Sequence, residues 1–151
     1  MKRLILEKLE KWKQSKRRKP LLLRGARQVG KTWVLKEFGN TFADGFVHID
    51  FDKQVEYRQF FEQTKDVKRI LDNLALATGK KITPKTLIIF DEIQACESAL
   101  NSLKYFYEDA PQYSVVGAGS LLGLKLASGF PVGKVEFLDM YPMTFTEFLF
   151  A

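Results

Sequence analysis

Residues 21–32 read Leu21-Leu22-Leu23-Arg24-Gly25-Ala26-Arg27-Gln28-Val29-Gly30-Lys31-Thr32: three leucines, a basic loop between two glycines, then a lysine and a hydroxyl. The leucine run is too short for a helix and is bounded by Pro20 and Gly25, so it reads as a buried strand. Lys31–Phe38 reads as a helix with Val34, Leu35 and Phe38 facing inward and Gly39-Asn40 as its stop. Between strand and helix, Gly25–Thr32 fits G-x-x-x-x-G-K-[ST] in full. The spacing has a chemical reason. The first glycine permits a sharp exit from the strand, and Gly30 lets the backbone come close to a bound phosphate. Backbone N–H groups from Gly25, Ala26, Arg27, Gln28, Val29 and Gly30 can then wrap an anion at the positive end of the following helix. Lys31 reaches the outer phosphate oxygens, and the Thr32 hydroxyl is a ligand for Mg2+. A strand before the loop and a helix after it are the context that separates this motif from an incidental glycine turn.

A second motif supplies the acid. Thr86-Leu87-Ile88-Ile89-Phe90-Asp91-Glu92 is the most apolar strand signal in the chain, and it ends in two carboxylates. Ligands of open parallel sheets bind at the C-terminal ends of the strands. Asp91 there suits Mg2+, largely through water, because that ion keeps much of its hydration shell. Glu92 suits the orientation and polarisation of an attacking water, a general-base task. Ser120, at the close of the Ser114-Val115-Val116 strand, would lie between the phosphate loop and the acidic strand if its own strand lies between theirs. From there its hydroxyl would reach a phosphate or the water.

The remaining pattern is an alternation of strands and helices. Leu4, Ile5, Leu9 and Trp12 share a helical face near the N-terminus, and the helix ends around Gln14–Pro20 because the residue before a proline is pushed out of the α region. Phe46–Phe51 reads as a second strand. Val67, Ile70, Leu71, Leu74 and Thr78 mark a helix that stops at Gly79, and Leu100, Leu103, Phe106 and Tyr107 mark another that ends before Pro111. Val135–Tyr141 reads as a fifth strand, and Phe145–Ala151 as the start of a further helix. Apolar, non-alternating strands between helices imply an α/β layer structure with a mostly parallel sheet.

Composition bounds the rest. The chain has 151 residues, 46% of them hydrophobic, enough for one packed domain. Its net charge of +6 is confined to the start, since residues 1–20 hold nine Lys/Arg against two Glu while the remainder is close to neutral. Cys96 is the only cysteine, which excludes an intrachain disulfide and reads as a small buried hydrophobe from a reducing compartment. No run approaches the about 20 apolar residues of a membrane span, and the basic N-terminus lacks a signal peptide's apolar core. No membrane association and a cytoplasmic location are expected. His48, the only histidine, sits mid-strand without the companions of a zinc site and reads as structural. Asp50 and Asp52 read as a solvated strand end, and Lys16–Lys19 as a solvated basic face. The apolar, uncapped finish at Phe148–Ala151 reads as the N-terminal part of a longer protein.

With these residues in view the chain resembles the AAA-type P-loop ATPases, in the division with an additional strand and a catalytic glutamate. More narrowly it looks like the prokaryotic AAA ATPases usually labelled "ATP-binding protein". The stretches KPLLLRGARQVGKT, LIIFDEIQ, GAGSLLG and FPVGKVEFLDMYPMTFTEFL carry the likeness over most of residues 19–149. The resemblance implies a three-layer αβα P-loop NTPase whose mostly parallel sheet has the order 5-1-4-3-2. It implies Walker A roles for Gly25 through Thr32, Walker B roles for Asp91 and Glu92, and a first-sensor role for Ser120. The implied activity is Mg2+-dependent ATP hydrolysis that drives a conformational change in an attached domain or partner. The chain would comprise a basic helix, residues 1–19, packed on an ATPase core, residues 20–151, with the lid and C-terminal domain of such proteins absent. Gly133-Lys134 stands where many relatives have Gly-Arg, so no arginine-finger role carries over to Lys134, and turnover by this chain alone is expected to be slow. Trp33 and Arg27 are further departures from the usual loop.

Two rival classes stay open on the sequence. One is a P-loop phosphotransferase acting on a small molecule, against which stand the lack of an Arg-rich lid and the suitability of Glu92 for water activation. The other is a nucleic-acid-binding module that uses the basic N-terminus. A GTPase is disfavoured because no N-K-x-D guanine motif is present. ATP and ADP, DNA or another protein, and a second copy of the core are the candidate partners.

Overall fold

A computed structural model describes residues 3–25, 30–120 and 132–140. Five strands form one sheet: β1 (Leu21–Arg24), β2 (Phe46–Asp50), β3 (Leu87–Asp91), β4 (Ser114–Gly119) and β5 (Glu136–Asp139). Their order is β2-β3-β4-β1-β5 with every neighbouring pair parallel, the expected 5-1-4-3-2 read from the opposite edge. Helices α1 (Arg3–Gln14), α2 (Lys31–Gly39), α3 (Gln59–Glu62), α4 (Val67–Thr78) and α5 (Glu97–Asp109) complete the described elements, with 3-10 turns at Val55–Arg58, Ile93–Ala95 and Val132–Lys134. The loop residues Ala26, Arg27, Gln28 and Val29, the segment after Ser120 that opens with Leu121, and the helix expected at Phe145–Ala151 lie outside the described residues.

The period-2 alternation of strand side chains divides the core in two. Leu21 and Leu23 of β1, Leu87 and Ile89 of β3, and Val116 and Ala118 of β4 face α1 and α2, where they meet Ile5, Leu9, Trp12, Val34, Leu35 and Phe38. The alternate residues Leu22, Val47, Ile49, Ile88, Phe90 and Val115 face α4 and α5. On that second face Phe51, Phe61 and Phe90 form a T-shaped triad with centroids 5.2–5.6 Å apart, and Phe106 of α5 lies 6.0 Å from Phe90. These offset ring pairs add about 0.5–1.5 kcal/mol each beyond area burial.

Two local readings change, and a third gains a second reason. Leu4 is 44% exposed while Leu6 packs against the core: each lies about 100° around the helix from Ile5, on opposite sides of the buried stripe, and the core extends to the Leu6 side alone. Gly39-Asn40 does close α2 as read, Gly39 being its last residue and Asn40 its cap, with no left-handed turn, since Asn40 has φ −66°. The lack of a side chain at Gly39 also serves a close approach, since a Cβ there would lie 2.6 Å from Phe46 Cβ on β2. Arg18 does not belong to a solvated face. Its guanidinium donates to the Lys13 and Gln112 carbonyls at 3.0 and 3.1 Å, tying the exit of α1 to the turn before β4, and burial lowers its pKa. Trp12 is buried and donates to the Lys19 carbonyl at 2.7 Å. Cys96 is buried as expected, and burial pushes its thiol pKa up.

Candidate functional site

The β1–α2 junction is built around one left-handed glycine and one buried lysine. Gly30 has φ 85° and ψ 24°, a conformation that a side chain would strain, and its carbonyl accepts from Val34 N at 3.0 Å to open α2. Lys31 is 7% exposed, and its Nζ donates to the Gly25 carbonyl at 2.8 Å, spanning the loop from its far end to its near end. On the other side of β1, Arg24 makes a two-point contact with Asp139 of β5 at 2.7 and 3.2 Å, its guanidinium 4.6 Å from the Phe137 ring centroid.

The acidic strand meets this junction directly. Thr32 Oγ1 donates to Asp91 Oδ2 at 2.5 Å across 59 positions of sequence. His48 Nε2 lies 2.9 Å from the same oxygen, and Glu92 N donates to Oδ1 at 3.0 Å. Asp91 is only 3% exposed. Burial alone would raise its carboxyl pKa, but the hydrogen bonds from His48, Thr32 and the Glu92 backbone outweigh it and hold the group below its ordinary value. The carboxylate is therefore the stable form in this setting.

Glu92 follows in a left-handed conformation, φ 50° and ψ 44°, the one non-glycine residue with positive φ among the described residues. Such a position costs about 1 kcal/mol or more and clusters at functional sites. It turns the chain from β3 into the 3-10 turn Ile93–Ala95, and the Glu92 carboxylate accepts from Gln94 Nε2 at 2.7 Å. A cleft of about 350 Å³ opens here, with Lys31, Thr32, Trp33, Asp50, Asp91 and Glu92 in its wall. Trp33 is 53% exposed at its mouth. Ser120 is half-buried at the end of β4, which does lie between β3 and β1.

The sheet thus brings Lys31, Thr32, Asp91 and Glu92 to one cleft, puts Gly25 and Gly30 at the two ends of the loop, and leaves Ser120 one strand away. Thr32 and Asp91 are two hard oxygen donors in contact. They are too few for a cage but suit Mg2+, which retains several waters and is commonly held by one or two protein oxygens plus phosphate. Sequence reasoning missed the His48–Asp91 contact. The signal that would have found it was the order of the sheet: β2 beside β3, with both strands ending on an aspartate, sets His48 two residues back on the same face.

Residues 17–149 match the protein family described as "AAA domain". The chain belongs to this family. It is therefore one of the nucleotide-binding AAA-type P-loop ATPases. The AAA domain shares its fold with AMPPCP-bound DnaA from Aquifex aeolicus, at 15% identity and a TM-score of 0.54, over 92% of this chain and 46% of that one. It is also similar to Orc1 of Aeropyrum pernix, solved in complex with DNA, at 16% identity and a TM-score of 0.59, over 94% of this chain and 44% of that one. The chain spans less than half the length of either protein. A search of curated proteins found no significant match. Among the described residues no helix of the AAA domain is long and apolar enough to cross a membrane.

Proposed function

We propose that this AAA domain binds Mg-ATP in the cleft between β1 and β3 and hydrolyses it, the cycle driving a conformational change in an attached domain or partner. The observation that carries this reading is the 2.5 Å contact between Thr32 and Asp91, which joins the two motifs in one cleft beside Lys31. Lys31 binds the β and γ phosphate oxygens, exchanging its bond to the Gly25 carbonyl for charge-assisted ones. Backbone N–H groups of the loop, at the positive end of α2, orient the polyphosphate. Thr32 and Asp91 hold Mg2+, which, when bound, neutralises charge building on the phosphates. Glu92 accepts a proton from the attacking water, and the Gln94 amide holds its carboxylate through one hydrogen bond. Ser120 is the residue we assign to sensing the γ-phosphate.

The test is calorimetry with Mg-ATP on the wild type and on Lys31→Ala, expected to remove detectable binding. Equal affinities would overturn the assignment of the cleft.

A further inference from the structure

We propose that His48 is a positioning residue for Asp91, and that it sets how much nucleotide binding gains from Mg2+. The inference rests on the ATP-site reading above. In register His48 lies opposite Ile89 and Asp50 opposite Asp91, so the His48 ring reaches one position along the same face of the sheet to meet the Asp91 carboxylate. That is the α2 face, where the neighbouring β3 residues Leu87 and Ile89 are buried among apolar side chains. A histidine with a side chain 19% exposed occupies a position where an aliphatic residue would be the ordinary choice.

An ionised carboxylate only accepts hydrogen bonds, so Nε2 carries the proton and donates it to Oδ2. The three donors to Asp91 differ in what else they must do. Glu92 N belongs to the next residue and follows Asp91 wherever the strand end goes. The Thr32 hydroxyl is itself wanted as a cation ligand, so its bond to Asp91 competes with that task. His48 is the side chain that holds the carboxylate from a separate strand and has no second duty in the proposed chemistry. It fixes the Asp91 rotamer with Oδ2 toward Thr32 and keeps the buried charge compensated when the hydroxyl turns away. Outer partners of this kind change metal affinity by about 10–100-fold when removed.

The experiment is calorimetric titration of ATP, with EDTA and then with Mg2+, into the wild type, His48→Gln, His48→Asn and His48→Leu, with thermal unfolding of each nucleotide-free sample. We expect all four to bind cation-free ATP about equally. The gain in affinity on adding Mg2+ should fall by about tenfold or more in His48→Asn and His48→Leu. It should be restored in His48→Gln, whose amide nitrogen reaches the place of Nε2. His48→Asn keeps a polar side chain and carries the test if His48→Leu does not fold. A wild-type Mg2+ gain in His48→Asn overturns the proposal, and so does a loss that falls equally on cation-free and Mg2+-bound ATP, which would mark a structural role only. Failure of the wild type to bind ATP in either condition would bring down the ATP-site reading itself, and this inference with it.

Discussion

Asp50 and Asp91 stand side by side, each the last residue of its strand and each the register partner of the other. Their chemistry diverges completely. Asp50 turns its carboxylate back on its own chain, accepting from Asp52 N and Lys53 N at 2.9 and 3.1 Å, while its backbone is clamped on both sides by Gln54. Asp91 is instead gripped from two other elements, α2 through Thr32 and β2 through His48. The difference follows from place in the sheet. β2 is an edge strand whose end can fold over in solvent, whereas β3 has neighbours on both sides and α2 above it. The same residue type thus serves as turn-former at the edge and, inside the sheet, as the buried carboxylate that we propose as a cation ligand.

Substitution at the two strand ends should separate these roles most sharply in turnover. Glu92→Gln, beside Asp91, is expected to lower the hydrolysis rate by about 10²–10⁴-fold while calorimetric affinity for Mg-ATP persists. Asp50→Asn should leave the rate close to wild type, and a matching loss there would erase the distinction. One layer down, Phe90 and Ile49 are also register partners, both fully buried. Phe90→Ala removes the hub of the aromatic cluster and should cost about 3–5 kcal/mol, against about 0.5–1.5 kcal/mol for Ile49→Val, as read from denaturant midpoints. Acid sharpens the contrast further. Because Asp91 has a folded pKa below its unfolded one, its ionised form favours the folded state above the ordinary carboxylate value of about 3.9, and that contribution is lost as pH falls through this value toward the lower folded one. Melting temperature followed from pH 6 downward should therefore drop less steeply in Asp91→Asn than in the wild type, and parallel curves would contradict the assigned pKa direction.

Most of this frame was readable from residue order. Proline and glycine bounded β1, the helix Val67–Thr78 ends on Gly79 at φ 69°, and the apolar run ending in Asp91-Glu92 is the interior strand β3. The strand order came from resemblance to a family, since periodicity says nothing about which strands are neighbours. What stayed hidden was tertiary. The segment between Phe51 and Val67 forms a 3-10 turn and the four-residue α3, too short to show a helical period and held by Phe61 entering the aromatic cluster. Gly39 was legible as a helix stop, but its closeness to Phe46 leaves no local trace. The contact of His48 with Asp91 left no such trace either, as the two are 43 residues apart.

The chain carries two indoles in opposite circumstances: Trp12, on the inner face of α1, is sealed against the core, and Trp33 stands more than half open at the cleft. Their emission should split into a blue-shifted component that ignores ligands and a red-shifted one that quenchers in solution can reach. Filling the cleft should dim or shift only the second, so the molecule contains its own optical gauge of nucleotide occupancy, and Trp33→Phe should silence it without touching the first.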